Sequence, residues 1–380
     1  MIRYRRKLAV GTAVAAMLAV AACGAAPSGS SAAAEAPAAP GLPLATSLAS
    51  ASDTWAVMPM SSDPAFWQVF VRPAKSPQWR LATPPGAADN GGLVAAIRPD
   101  TGSGALTVAV RPSQNLEFTP LTATADAGAS WSPDGPVSAG VIASPDALAV
   151  SGRTIVALVN RGSLDVSFDG GATWRSLPTP GASSASPAGT GCGAVIITSV
   201  SFWGSGADVL AGGSCGTGGA AILFAYSLAA PSAGWQRVSL PVSGQLARLD
   251  DGLVLMRASA GLTVLWSGPR ATGSDSAAWV ASAPLPAPGA VTASGRLASA
   301  GAWVLMAGRH AAVIAAPGAR WRLLPPAPAE TAVLASGPGG AIDALTASGT
   351  DLAVWRLAPG AATWSKSQTV KVPIQYGSSG

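Results

Sequence analysis

One histidine, three cysteines and three tyrosines are all that 380 residues hold of the side chains that most often carry chemistry or bind metals. The lone His310 leaves a Cys/His zinc site without its ligands, and a histidine base without an orienting partner. No metal or other cofactor is expected. Charge is sparse, at 11% of residues. Long helices are excluded by 45 Gly and 32 Pro, which punctuate the chain about once every five residues and break helical runs. No Gly-x-Ser-x-Gly elbow, phosphate loop or dinucleotide fingerprint stands between a strand and a helix.

Disorder is excluded from the other side. Apolar residues make up 49% of the chain, whereas disordered chains are charged and poor in apolar residues. Many short buried strands between Gly/Pro turns satisfy both facts, so the expected class is all-β. The net charge of +5 is local. Arg3, Arg5, Arg6 and Lys7 account for four of the 23 basic residues, and the remaining 19 face 18 acidic ones. Those 19 are scattered, with no basic stripe, and a nucleic-acid partner is not expected.

The N-terminus is organised differently. A basic segment, the apolar stretch Leu8–Ala22 and small residues at 20–22 form the three parts of an export signal. The apolar stretch is shorter than the ~20 residues a membrane-spanning helix needs. "VAAC" (Val20 to Cys23) resembles the bacterial lipobox. That resemblance implies a signal peptide over 1–22, diacylglycerol on Cys23 as the first mature residue, and localisation at the cell membrane on the extracytoplasmic side. Two acyl chains anchor firmly where one is marginal. The competing reading is an ordinary signal peptide with an incidental cysteine. Residues 24–41, "GAAPSGSSAAAEAPAAPG", have nothing to bury and read as a flexible tether, so 23–41 links lipid to body. Cys192 and Cys215 flank two apolar runs around Gly204-Ser205-Gly206. A hairpin there would bring the cysteines together, and an exported protein can keep them as a disulfide. Two free buried thiols or a two-ligand metal pair are the alternatives.

The body is periodic. Tryptophan closes a turn and is followed by a segment usually rich in proline at Trp79, Trp131, Trp174, Trp235, Trp279, Trp321 and Trp364, with spacings of 52, 43, 61, 44, 42 and 43. Three apolar strands precede each of these corners, which makes a four-stranded meander of ~43 residues, the size of a propeller blade. Runs such as "VIITSVSFW" and "WVLMAG" are continuously apolar, as in a sheet covered on both faces. The expected fold is a seven-bladed β-propeller of four-stranded antiparallel blades over 42–376, monomeric; each blade can be built from contiguous sequence, and the tail "KSQTVKVPIQYG" can end the seventh blade or reach toward the first.

Two corners share a finer pattern: Thr124, Asp126, Gly128, Ser130 and Trp131, and Ser167, Asp169, Gly171, Thr173 and Trp174. The glycine supplies the positive φ of a tight turn, and the carboxylate and hydroxyls can bond turn backbone. This pattern resembles the Asp-box, or BNR repeat, of sialidase-like propellers. It marks a structural turn, and no catalytic residue is assigned to it. The enzymes of that family use an Arg triad, a Tyr nucleophile backed by Glu, and an Asp acid/base. Here "FVRP" (Phe70 to Pro73) departs from the family's first Arg motif. Beyond the leader only Tyr226 and Tyr376, and Glu35, Glu117 and Glu330, remain. The non-enzymatic branch includes lipoprotein-like assembly factors resembling the photosystem II stability factor. The resemblance therefore implies a binding or assembly module for a protein or glycan partner, with a divergent sialidase-like glycoside hydrolase as the alternative.

Cys23→Ser is expected to move the protein from the membrane fraction to the soluble extracytoplasmic fraction, as read by fractionation and by loss of metabolic lipid labelling. Unchanged membrane retention would refute the lipid anchor.

Overall fold

The computed structural model describes residues 45–50, 53–60, 66–85, 87, 92–97, 104–111, 119–133, 140–141, 145–159, 162–180, 195–203, 207–216, 219–250, 253–267, 279–286, 290–297, 301–306 and 309–373. These form seven antiparallel sheets in chain order. Blade 1 is β1 (Thr46–Ala49), β2 (Thr54–Pro59), β3 (Trp67–Arg72) and β4 (Arg80–Leu81). Blade 2 is β5 (Leu93–Ile97), β6 (Leu106–Val110), β7 (Thr119–Thr124) and two outer pieces, β8 (Ser132–Pro133) and β9 (Gly140–Val141). Blade 3 is β10 (Pro145–Ser151), β11 (Thr154–Val159), β12 (Ser163–Ser167) and β13 (Arg175–Ser176). Blade 4 is β14 (Val195–Trp203), β15 (Asp208–Cys215), β16 (Ala221–Ser227) and β17 (Trp235–Arg237).

Blade 5 is β18 (Gln245–Asp250), β19 (Leu253–Ala258), β20 (Gly261–Ser267) and β21 (Trp279–Ala281). Blade 6 is β22 (Val291–Arg296), β23 (Ala302–Met306), β24 (His310–Ile314) and β25 (Arg322–Leu323). Blade 7 is β26 (Thr331–Ser336), β27 (Ile342–Ser348), β28 (Asp351–Leu357) and β29 (Ser365–Lys371). The expected seven-bladed propeller is the fold, with contiguous blades. Blade 2 adds a detail that the repeat did not foretell. Both β8 and β9 pair with β7, at Thr122–Ala123 and at Thr119–Pro120, so its outer strand is in two parts.

The apolar runs are sandwiched, as their patterning requires. All five residues of β23 are buried, and so is every residue of β3. The resulting cores follow the ring from blade to blade. One joins Val156 and Leu158 of blade 3 to Val209 and Phe224 of blade 4. Another joins Val69 and Val71 of blade 1 to Leu106 and Val108 of blade 2. The largest gathers Trp303 of blade 6, Leu345 and Val354 of blade 7, and Phe70 and Trp79 of blade 1.

The seven repeat tryptophans occupy one structural position, at or just before the outer strand of each blade. The segment after each has a double task. Three residues on, the amides of Ala82, Leu177, Val238, Ser282 and Leu324 donate to the third strand of their own blades. Four residues on, the carbonyls of Pro178, Ala283 and Pro325 accept the indole N–H of the next blade's tryptophan, from Trp235 (2.6 Å), Trp321 (3.0 Å) and Trp364 (3.1 Å). Proline suits this place because it lacks an N–H and ends the ladder while keeping its carbonyl. It stands there after Trp174 and Trp321, and one residue later, at Pro284, after Trp279.

Blade 7 departs from the rule, and that departure closes the ring. The residue four past Trp364 is Gln368, whose amide clamps the Trp79 backbone both ways: Trp79 N–H donates to Oε1 (2.8 Å) and Nε2 donates to Trp79 O (2.7 Å). Trp79 Nε1 donates to Oδ2 of the fully buried Asp343 (2.8 Å). Arg356 holds the same carboxylate through Nε (2.7 Å) and Nη2 (2.9 Å), and its Nη2 also reaches Pro77 O. Arg72 adds a bridge from blade 1 to Ser336 O in blade 7. Burial pushes its guanidinium pKa down, opposed by the nearby Asp343. No strand crosses the seam among the described residues, so side chains do the closing.

Asp343→Ala strands a buried indole N–H and an arginine together, and unfolding in denaturant is expected to show a loss of about 3–5 kcal/mol. Gln368→Ala removes two neutral bonds and is expected to cost about 1–2 kcal/mol. Equal stability of both variants and wild type would show that the seam is held by apolar packing alone.

Candidate functional site

Each blade is an up-and-down meander, so its turns divide between two faces of the ring. The blade-to-blade connections and the turns between second and third strands lie on one, the connection face. The turns between first and second and between third and fourth strands lie on the other, the corner face. Each face carries one group of functional candidates.

On the connection face, a cavity of about 390 Å³ opens where the inner strands β1, β18 and β22 begin. Its polar lining is Gln245, Arg248, Arg257, Thr292 and Ser294, and small or aliphatic side chains such as Ala45, Leu246 and Val291 supply the rest. Arg248 is positioned by contacts that span blades: Nη1 donates to Ser294 O of blade 6 (2.7 Å) and Nη2 donates to Thr46 Oγ1 of blade 1. Arg257, opposite Gln245 in the β18–β19 register, is partly exposed. The strand β1 also accepts a bond from blade 6, Trp303 Nε1 to Ser47 Oγ (3.2 Å). The arrangement offers two guanidiniums beside an amide and a hydroxyl, a donor-rich setting suited to a planar anion. Sequence reading missed Arg248 and Arg257. The first stood in "RLDDG", which reads as a turn, and nothing local marks strands 200 residues apart as neighbours.

On the corner face, the two aspartate turns have the same internal wiring. Thr124 Oγ1 donates to Asp126 Oδ1 (2.8 Å) and accepts from Gly128 N (2.9 Å). Ser130 donates to Asp126 through N (2.9 Å) and Oγ (2.5 Å). In blade 3, Ser167 Oγ donates to Asp169 Oδ1 (2.8 Å) and accepts from Gly171 N (2.7 Å). Thr173 donates through N (2.9 Å) and Oγ1 (2.6 Å). Trp174 Nε1 donates to Gly171 O (3.0 Å), laying the indole over its turn. Trp131 packs instead into the core between blades 1 and 2. Glycine is required at Gly128, where φ is 78° and a Cβ would come within 2.7 Å of Ala82 Cβ, and at Gly171, where φ is 94°. Four donors facing one carboxylate favour its charged form. The Ser130 hydroxyl foremost, then its amide and the Thr124 hydroxyl, hold Asp126 down at about 2. Asp169 lies well below the usual carboxylate range, chiefly through Thr173.

The remaining candidates are dispersed. Tyr226 is buried in blade 4 with its ring 5.0 Å from that of Trp235. Glu330 is exposed in the turn before β26, and His310 is exposed at the start of β24. Among the described residues no three His, Cys, Asp or Glu side chains cluster. Cys215 ends β15 opposite Val195. Cys23, Cys192, Glu117 and Tyr376 lie outside the described residues.

No protein-family model and no curated protein matches the chain. Solved structures do. A protein from Lactobacillus plantarum is 12% identical over 85% of this chain and 97% of that one, with a TM-score of 0.53. Puromycin hydrolase is 14% identical over 87% of this chain, which spans about half (54%) of that enzyme, with a TM-score of 0.50. YCF48 from Cyanidioschyzon merolae is 15% identical over 80% of this chain and 89% of that one, at a TM-score of 0.47. Likeness at such identity extends to the fold alone.

The depressed carboxylates fix the sign of an acid dependence. Their folded pKa values lie below the unfolded value of about 3.9, so their stabilisation is complete above that pH and lost as pH falls toward 2. Melting followed by circular dichroism from pH 6 to pH 2 is expected to show a shallower decline for Asp126→Ala/Asp169→Ala than for wild type, with a lower midpoint at pH 7. Parallel curves would contradict this account of the turns.

Proposed function

We propose that the protein is a lipid-anchored, extracytoplasmic β-propeller that works by binding, holding an acidic group of a protein or glycan partner in the cavity on its connection face. The observation that carries this reading is the 390 Å³ cavity with Arg248 and Arg257 on its wall. Its volume lies in the range of ligand sites, ~300–1,000 Å³. Arg248 is held in place before any ligand arrives by Ser294 and Thr46, which lowers the ordering cost of binding. Burial of Tyr226 against Trp235, on a different blade from Glu330, supports a non-catalytic role over sialidase-like hydrolysis. The corner-face turns fit the Asp-box family as structural devices, and the lipobox-like "VAAC" supports the anchor. A Cys192–Cys215 disulfide is supported by the bonded state of Cys215 and by its register opposite Val195, three residues from Cys192.

The test is an array of acidic and neutral oligosaccharides and peptides, run beside a panel of fluorogenic glycosides. Acidic ligands are expected to be retained, and Arg257→Ala to weaken them by about tenfold or more, the worth of one charge-assisted bond. Turnover of any glycoside, or binding indifferent to Arg257, would overturn the reading.

A further inference from the structure

Among the described residues the outer strands of six blades are stubs. Each pairs over two or three residues, in blade 2 as two such pieces, whereas six of the seven residues of β29 in blade 7, Ser365–Lys371, are paired. The cause is in the sequence. Proline follows the repeat tryptophan at Pro84, Pro133, Pro178, Pro241, Pro284 and Pro325, within six residues, but after Trp364 none comes before Pro373. Proline cannot donate to a ladder and caps an edge against further pairing. Blade 7 alone lacks that cap.

A shift in register then organises the side chains of this edge. Val354 pairs with Gln368, yet Trp355 pairs with Lys366, so Ser367 is the extra residue of a bulge. Counted along β28, Lys366, Thr369 and Lys371 stand opposite Trp355, Ala353 and Asp351. They therefore share one side of the sheet, and all three are exposed. The two lysines are four register steps apart, about 13 Å. The other side is occupied: Gln368 clamps Trp79, and Val370 and Val372 pack on the core of blades 7 and 1. Strand and face are thus fixed from behind.

The backbone of this edge is set to receive a strand. Val372 N donates to Thr350 O (2.8 Å), which makes the pairs at 370 and 368 the bonded ones in the antiparallel alternation. The amides and carbonyls of Thr369 and Lys371 then face outward, with no partner among the described residues. We propose that β29 is a second binding site, which captures an extended acidic segment of a protein partner by strand addition. Main-chain bonds supply affinity in this mode and side-chain pockets or charges supply selection. Lys366 and Lys371 select carboxylates spaced four residues apart on the incoming strand. They oppose uncontrolled pairing between apolar edges, as edge lysines do elsewhere.

The probe is a fluorescein-labelled peptide, Val-Glu-Val-Thr-Val-Glu-Val, titrated into the full chain by anisotropy, beside its counterpart with lysine in place of glutamate. Wild type is expected to bind the glutamate peptide at least tenfold more tightly than the lysine peptide. Thr369→Pro removes an outward donor without touching the β28–β29 ladder, so it is expected to keep the wild-type melting temperature and lose binding tenfold or more. Lys366→Glu/Lys371→Glu is expected to reverse the preference, an outcome independent of how the proline variant folds. Equal binding of both peptides, or full binding by a folded Thr369→Pro chain, would overturn the proposal. So would a dimer in sedimentation that Thr369→Pro dissolves, which would make a second copy the occupant.

Discussion

A ring of blades must be joined where each sheet ends, and at four of the seven junctions here an indole N–H reaches across to the neighbouring blade. Trp235, Trp321 and Trp364 each donate to a carbonyl four residues past the previous repeat tryptophan. The geometry repeats because the sequence repeats. At the last junction the carbonyl gives way to a carboxylate, Asp343, which Arg356 neutralises and Trp79 caps. Many propellers could close by letting one blade borrow a strand. This chain keeps its blades contiguous and concentrates the closure in Asp343, Arg356, Gln368 and Arg72. A desolvated carboxylate is costly unless fully bonded, and that cost enforces one geometry at the seam.

The same architecture sorts function by face. Aspartate turns stiffen the corner face with hydroxyl and amide donors. The connection face gathers Arg248, Arg257, Gln245 and Thr292 around a cavity. Arg248 serves both roles, since its guanidinium ties blades 5, 6 and 1 while lining the site. A cavity wall built on a structural tie is rigid by construction.

Fold and corners were legible in the sequence because they are local. Trp174 with its three preceding apolar runs, and Gly171 with its φ of 94°, are written within one 43-residue period. The fully buried runs of β3 and β23 announced sheets covered on both sides. What could not be read lay in distance. Arg248 meets Thr46 across 202 residues, and Asp343 meets Trp79 across 264, and no periodicity encodes such pairs. The bulge at Ser367 was equally hidden, since one extra residue in a strand leaves no mark on composition. Its effect is to turn two lysines to one side.

The inner strand of blade 1 has a consequence for how the molecule is made. Thr46 and Ser47 have partners in Arg248 and Trp303, and Trp79 has partners in Asp343 and Gln368, all supplied by blades 5 to 7. Blade 1 is therefore completed only when blades 5, 6 and 7 reach it. Loop-closure entropy over such spans slows assembly. A polypeptide with this wiring commits to its final shape only when the strands of blades 5 to 7 are available to the first blade.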